Sequence, residues 1–178
     1  YTVLYAGYDN IIEASISGYS PSDIRVSCTG GTITKKGNQY VIKTGSAREV
    51  EVRASAPGTV VVRKYKVLSK PKPELFFAGK QFGNIRIGQV KQGKKLVIKS
   101  PNSSPLRIGY EIVSFDFEVV ANNKLSDDKL RSANLSAKSL SMLNRIRKGN
   151  KIFISNVRYK ETGSNKVKSI NGLSLKVI

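Results

Sequence analysis

The chain has 178 residues, with 31 lysines and arginines against 12 acids, one cysteine, no histidine and a net charge of +19. That length suits one or two domains and can bury a real core. Without histidine, Ser-His-Asp, Cys-His and histidine–metal sites cannot be assembled within the chain, and one cysteine excludes an internal disulfide framework. No stretch approaches the roughly 18 consecutive apolar residues of a membrane span, and no basic-then-apolar leader is visible. The first residue is Tyr1 rather than Met, the pattern of a fragment whose leader or anchor lies elsewhere.

From the start, an apolar run meets a turn at Gly7–Asn10 and a strand-like run follows. Gly and Asn tolerate positive φ, and Asp and Asn side chains can bond the backbone ahead of them. Strands are predicted over Thr2–Tyr5, Ile11–Ser17, Ile24–Cys28, Thr32–Lys35, Tyr40–Thr44, Glu49–Ala54 and Val60–Leu68. They are short, alternating and β-branched, with turn residues at Tyr19–Ser22, Gly30-Gly31, Lys36–Asn38 and Pro57-Gly58. Seven such strands predict an immunoglobulin-like β-sandwich over residues 1–69, without the Cys and Trp of antibody domains. Alternation in Ile24–Cys28 makes Cys28 a small buried or half-buried side chain rather than a reactive thiol.

Ser69-Lys70-Pro71-Lys72-Pro73 follows, and its two prolines block both helix and central strand. Residues 70–73 are therefore a short, semi-rigid linker, with a second, antiparallel β-rich domain expected over residues 74–178. Its predicted strands are Ile85–Ile87, Leu96–Lys99, Tyr110–Val120, Lys151–Tyr159 and Lys166–Val177. Tyr110–Val120 sets Val113, Phe115, Phe117 and Val119 on one side and Ile112, Ser114, Asp116 and Glu118 on the other. That predicts a central antiparallel strand buried on one face. Ser126-Asp127-Asp128-Lys129 can cap a separate turn. One short helix is predicted after an N-cap at Ser136, with Ala137, Leu140, Leu143 and Ile146 near a 3.6 period and Gly149 as its left-handed C-cap.

Of the carboxylates, Asp116 and Glu118 lie on one strand face, where two acids could in principle do acid–base chemistry, and a solvated face pairing with lysines explains them better. No GxxxxGK[ST] loop or strand-following GxGxxG is present, and Gly79–Asn84 has the wrong spacing for a phosphate cradle. The chain is therefore read as non-enzymatic, with no cofactor, no metal and no small-molecule substrate. Charge is the one extreme property, and it is uneven. Residues 1–69 hold nine cations and five acids, net +4, while residues 70–178 hold 22 and seven, net +15. Such a charge steers a protein towards anionic surfaces. Its cations are interleaved through strands, and its aromatics do not follow an RNA-recognition pattern, so nucleic acid is not expected. Arg145, Arg147, Lys148 and Lys151 form the candidate partner-binding patch, and complementarity to a helix dipole explains the first three equally well.

The opener Leu4-Tyr5-Ala6-Gly7-Tyr8-Asp9-Asn10-Ile11-Ile12 resembles the "-VLY-G-DNPI-" phrase that begins the penultimate periplasmic domain of the GldM/PorM family, with Ile11 where that family has Pro. Ile112-Val113-Ser114-Phe115 is similar to its "-VTSFTV-" strand, the run from Leu140 to Val157 to its "-L-K-GSKVYFENI-", and the ending Lys168 to Ile178 to its terminal "-LG-ISFKI". The similarity spans both predicted domains in order. It implies a periplasmic, non-enzymatic, force-transmitting part of the type IX secretion and gliding machinery of Bacteroidetes. It also implies a homodimer, anchored in the inner membrane by an absent N-terminal segment that would meet a GldL-like partner. The distal domains would dock on outer-membrane-associated ring proteins of GldK/GldN (PorK/PorN) type. A basic polyanion- or surface-binding module of an envelope protein is the alternative.

Overall fold

The computed structural model describes residues 3–178. Contacts divide the chain into two units, Tyr1–Lys70 and Pro71–Ile178.

In the first unit the strands are β1 (Val3–Tyr5), β2 (Asn10–Ile12), β3 (Arg25–Thr29), β4 (Gly31–Lys36), β5 (Gln39–Thr44), β6 (Glu49–Ala56) and β7 (Thr59–Leu68). They form two sheets, ordered β1-β7-β6-β3 and β2-β5-β4. With seven strands lettered in chain order, the sheets are A-G-F-C and B-E-D, an immunoglobulin-like arrangement in which the first strand joins the C-F-G sheet instead of the B-E-D sheet. The first strand lies parallel to the last, Val3 opposite Lys66 and Tyr5 opposite Leu68. The core between the sheets is Leu4, Ile42, Val50 and Val52, joined by half-buried Ile12, Val26, Cys28, Ile33, Tyr65 and Val67. The strand expected over Ile11–Ser17 ends at Ile12, where its partner β5 runs only one residue, Gln39, past the Ile12–Tyr40 pair. Thr2, with which the first expected strand begins, lies outside the described residues.

The second unit holds β8 (Glu74–Phe77), β9 (Gly83–Ile85), α1 (Ile87–Val90), β10 (Leu96–Lys99), β11 (Tyr110–Ala121), β12 (Lys124–Leu130), α2 (Ala137–Asn144), β13 (Lys151–Glu161), β14 (Lys168–Ile170) and β15 (Leu173–Val177). The main sheet runs β12-β11-β13-β15-β9, with β14 also on β13, and β8 pairs with β10 in a separate ribbon. Phe115 and Phe117 are buried on the inner face, and Phe77 packs on Phe117 with ring centroids 5.8 Å apart. Around them lie Ile85, Leu96, Leu143, Ile152, Ile154 and Leu175, so the core sits on one side of the sheet only.

Several expectations for this unit need correction. It has two helices, not one, because Ile87 opens a four-residue helix where a strand was expected. It is not wholly antiparallel, since β9 lies parallel to β15. The expected Lys166–Val177 strand breaks at Asn171-Gly172, where a Cβ on Gly172 would sit 1.8 Å from the Ile154 carbonyl oxygen. Asp127-Asp128 lies within strand β12, not a capping turn, because Asn122 and Asn123 both take left-handed backbone and close a two-residue hairpin from β11.

Helix α2 begins as its sequence requires. Ser136 and Ser139 exchange backbone-to-side-chain bonds of 2.9 and 3.2 Å, a reciprocal cap. Its end differs from expectation: the helix stops at Asn144 with Arg145 as C-cap. Gly149 does adopt φ +89°, but it is no helix cap, for its N–H donates to the Val177 carbonyl at 2.7 Å.

Candidate interaction surface

Arg145, Arg147, Lys148 and Lys151 are all exposed along the passage from α2 into β13. Two buried side chains hold that passage in place. Ile146 enters the core, and Asn150 accepts the Arg147 N–H at 2.8 Å. Three of the four have different surroundings. Arg145 turns back on its own helix, donating to the Ser141 hydroxyl at 3.1 Å and the Ser141 carbonyl at 3.4 Å. Lys148 borders a shallow groove with Arg86, Gln89, Gln92 and Ile178. Lys151 borders a different hollow, lined by Gly83, Asn84, Phe153, Ser174 and Lys176. Lys176, one of the cations interleaved through the strands but outside the candidate patch, stands opposite Lys151 across the β13–β15 ladder, and only strand pairing brings the two together.

The same sheet face also carries acids. Glu118 stands opposite Asp127, and Asp116 opposite Lys129. Asp116 accepts a 2.7 Å hydrogen bond from the Asn156 amide, and no ion pair reaches Asp116, Glu118 or Asp127 among the described residues. The expected pairing with lysines is thus not made by contact. Ion pairs in this unit are elsewhere, Lys160 to Glu111 at 3.3 Å and Lys168 to Glu161 at 3.5 Å.

In the first unit, Asn10 organises the turn read from the sequence. Its side chain accepts from the Tyr5 N–H at 2.8 Å and donates to the carbonyls of Tyr5, Tyr8 and Ile42 at 3.0–3.2 Å. Cys28 is half-buried and donates to the Gly31 carbonyl at 3.2 Å. Burial pushes its thiol pKa up, outweighing that hydrogen bond, so the group is disposed to stay protonated. Among the described residues no group of three or more acids and cysteines could hold a metal ion. No helix among them is long and apolar enough to cross a membrane.

The fold and its surface define a class: tandem β units, the first an immunoglobulin-like sandwich, displaying a broad cationic surface. Residues 1–67 match the family model described as the GldM third domain. The first unit is a GldM-family domain, and the opener Leu4–Ile12 falls within it. The GldM family belongs to gliding motility and type IX secretion machinery, is not a known enzyme family, and is membrane-anchored with a periplasmic portion. No curated protein matches the chain. Among solved structures, human protocadherin-24 EC1-2 (form II) is similar at 13% identity and a TM-score of 0.31, covering 99% of this chain and 95% of that one. Titin-A168169 follows at 9% identity and a TM-score of 0.28, with the same coverage. Scores this low are no measure of a common function.

Proposed function

We propose that the chain is a periplasmic, non-enzymatic part of the type IX secretion and gliding motor. In this reading its second unit docks on the outer-membrane-associated ring proteins of GldK/GldN type and passes force to them. The observation that carries the proposal is the GldM third-domain match over residues 1–67. The net charge of +15 over residues 70–178 supports an acidic partner surface for the unit that follows. A GldL-like partner and the inner-membrane anchor belong to a segment outside this chain, and the working protein is a homodimer. Long-range charge raises association rate more than final affinity and is screened beyond about 8–10 Å at physiological salt.

Reversing Arg145, Arg147 and Lys148 together to Glu is expected to slow association with the ring protein severalfold and flatten its salt dependence. If instead these cations serve the helix end, the variant loses thermal stability and binds as before. Arg145, which bonds Ser141 within its own helix, is the residue most exposed to that second outcome. The polyanion-binding reading rests on the net charge of +19. Tight, steeply salt-dependent retention on heparin, with no affinity for the ring protein, would favour it.

A further inference from the structure

Charge in the second unit is segregated across its main sheet. Five of the unit's seven acids, Glu111, Asp116, Glu118, Asp127 and Asp128, lie on β11 and β12, at one end of the strand order β12-β11-β13-β15-β9. The other end is free of them. From Leu75 to Tyr110, a run that includes β9 and α1, there are seven cations and no acid, and β15 carries no acid either. Pairing gathers part of this charge at the β9 edge, where Lys176 stands opposite Asn84 and Arg86 borders one groove with Lys148. Lys80, Arg86, Lys148 and Lys176 are all exposed, and none of them is in an ion pair among the described residues. Lys151 lies one strand nearer the acids, diagonal to Glu118, and belongs to neither end.

Phe82 immediately precedes β9 and, at 77%, is the most exposed large apolar side chain among the described residues. Its loop is held on both sides. Phe77 and Lys80 exchange two backbone hydrogen bonds of 2.9 Å, and the Gln89 amide on α1 donates to the Ala78 carbonyl at 2.8 Å. Ala78, Gly79 and Gly83 take left-handed backbone, with φ of +47°, +77° and +83°. A ring displayed to solvent on a braced loop loses little freedom on binding.

We infer that Phe82 and the cations of the β9 edge are the docking surface for an acidic protein partner that offers the ring an apolar pocket. A few buried aromatic and arginine side chains carry most of the energy of an interface, and Phe82 beside Arg86 supplies that combination. Cations with no acid among them steer an acidic surface to this edge and away from β11 and β12. One ring is too little apolar surface to hold a bilayer, to which even a whole acyl chain binds marginally, so the occupant is a protein and not a lipid surface. The inference deepens the docking reading above by naming its surface, and rests on that reading for the existence of the partner.

The test uses the whole chain and the GldN-type ring protein in biolayer interferometry over a salt series. Phe82→Ser is expected to weaken binding about tenfold or more, chiefly through faster dissociation. Its thermal midpoint should stay where it was, because the ring packs on nothing in the core. Arg86→Glu with Lys176→Glu should slow association severalfold. The same change of charge at the β12 end, Lys124→Glu with Lys129→Glu, should slow it less than half as much. Equal slowing by the two double variants, or a Phe82→Ser chain that binds like the wild type, overturns this surface and leaves the docking reading standing. A wild-type chain that does not bind the ring protein overturns both. Sedimentation with phosphatidylglycerol vesicles supplies the remaining arm: binding that needs Phe82 on the vesicles but not on the ring protein overturns the protein partner.

Discussion

The two units reach stability by different means. Among the described residues, the first unit's core cluster has four buried apolar side chains between its sheets, whereas the second's gathers nineteen on one side of a sheet. A small domain buries a smaller share of its surface and leans harder on each contact. The first unit accordingly depends on local polar devices: the Asn10 turn, the parallel β1–β7 closure and the tight approach of Gly30 to the Glu49 carbonyl. In the second, the other face of the main sheet is left to solvent.

The comparison breaks most visibly at Phe117. Truncating this fully buried ring to Ala should cost about 3–5 kcal/mol. In differential scanning calorimetry it should lower one transition, that of the second unit, and leave the first unit's transition in place. Concerted loss of both would mean that the units do not fold independently. In the first unit Ile42 is the matching residue, fully enclosed. Ile42→Ala should cost about 2–5 kcal/mol, enough to leave a domain of this size largely unfolded at 37 °C while the second unit's near-UV signal persists.

Gly172→Ala comes next. The added methyl meets the backbone of β13, and about 3 kcal/mol of overpacking cost is expected, read as a lower urea midpoint for the second unit. Asn10→Ala should cost about 1–3 kcal/mol in the first unit, since the Tyr5 N–H and three carbonyls lose their partner. Amide exchange at Tyr5 should quicken correspondingly.

The smallest effect is chemical. Burial raises the Cys28 thiol's pKa, so at about pH 8.5, the ordinary value for a free thiol, its alkylation should lag behind that of a model thiol and catch up on unfolding. The sign follows from linkage. A raised folded pKa contributes stability below the unfolded value, and that contribution is lost as pH climbs through the folded one. Alkylation at the model-thiol rate in the folded chain would contradict the half-buried placement.

Much of this molecule is legible in one dimension. Alternation of β-branched residues with turn residues announces β3 to β7, and the Phe115–Val119 face of β11, because the strand period of two acts locally. Ser136 announces the start of α2 for the same reason: a cap is satisfied within three residues. The fold class, the absence of histidine chemistry and the uneven charge are likewise properties of composition. What needed tertiary structure depends on partners distant in sequence. Ile11–Ser17 reads as one strand, yet β5, which runs only one residue past the Ile12–Tyr40 pair, gives it no partner along most of its length. Lys166–Val177 reads as one strand until the backbone of Ile154 comes close enough to demand Gly172. Asn122-Asn123 held a local hairpin signal that could have revealed β12. The Glu118–Asp127 and Lys151–Lys176 pairs had no local signal at all, since their members are 9 and 25 residues apart and meet only through ladder register. Propensity is written along the chain, whereas charge apposition is a property of the folded surface.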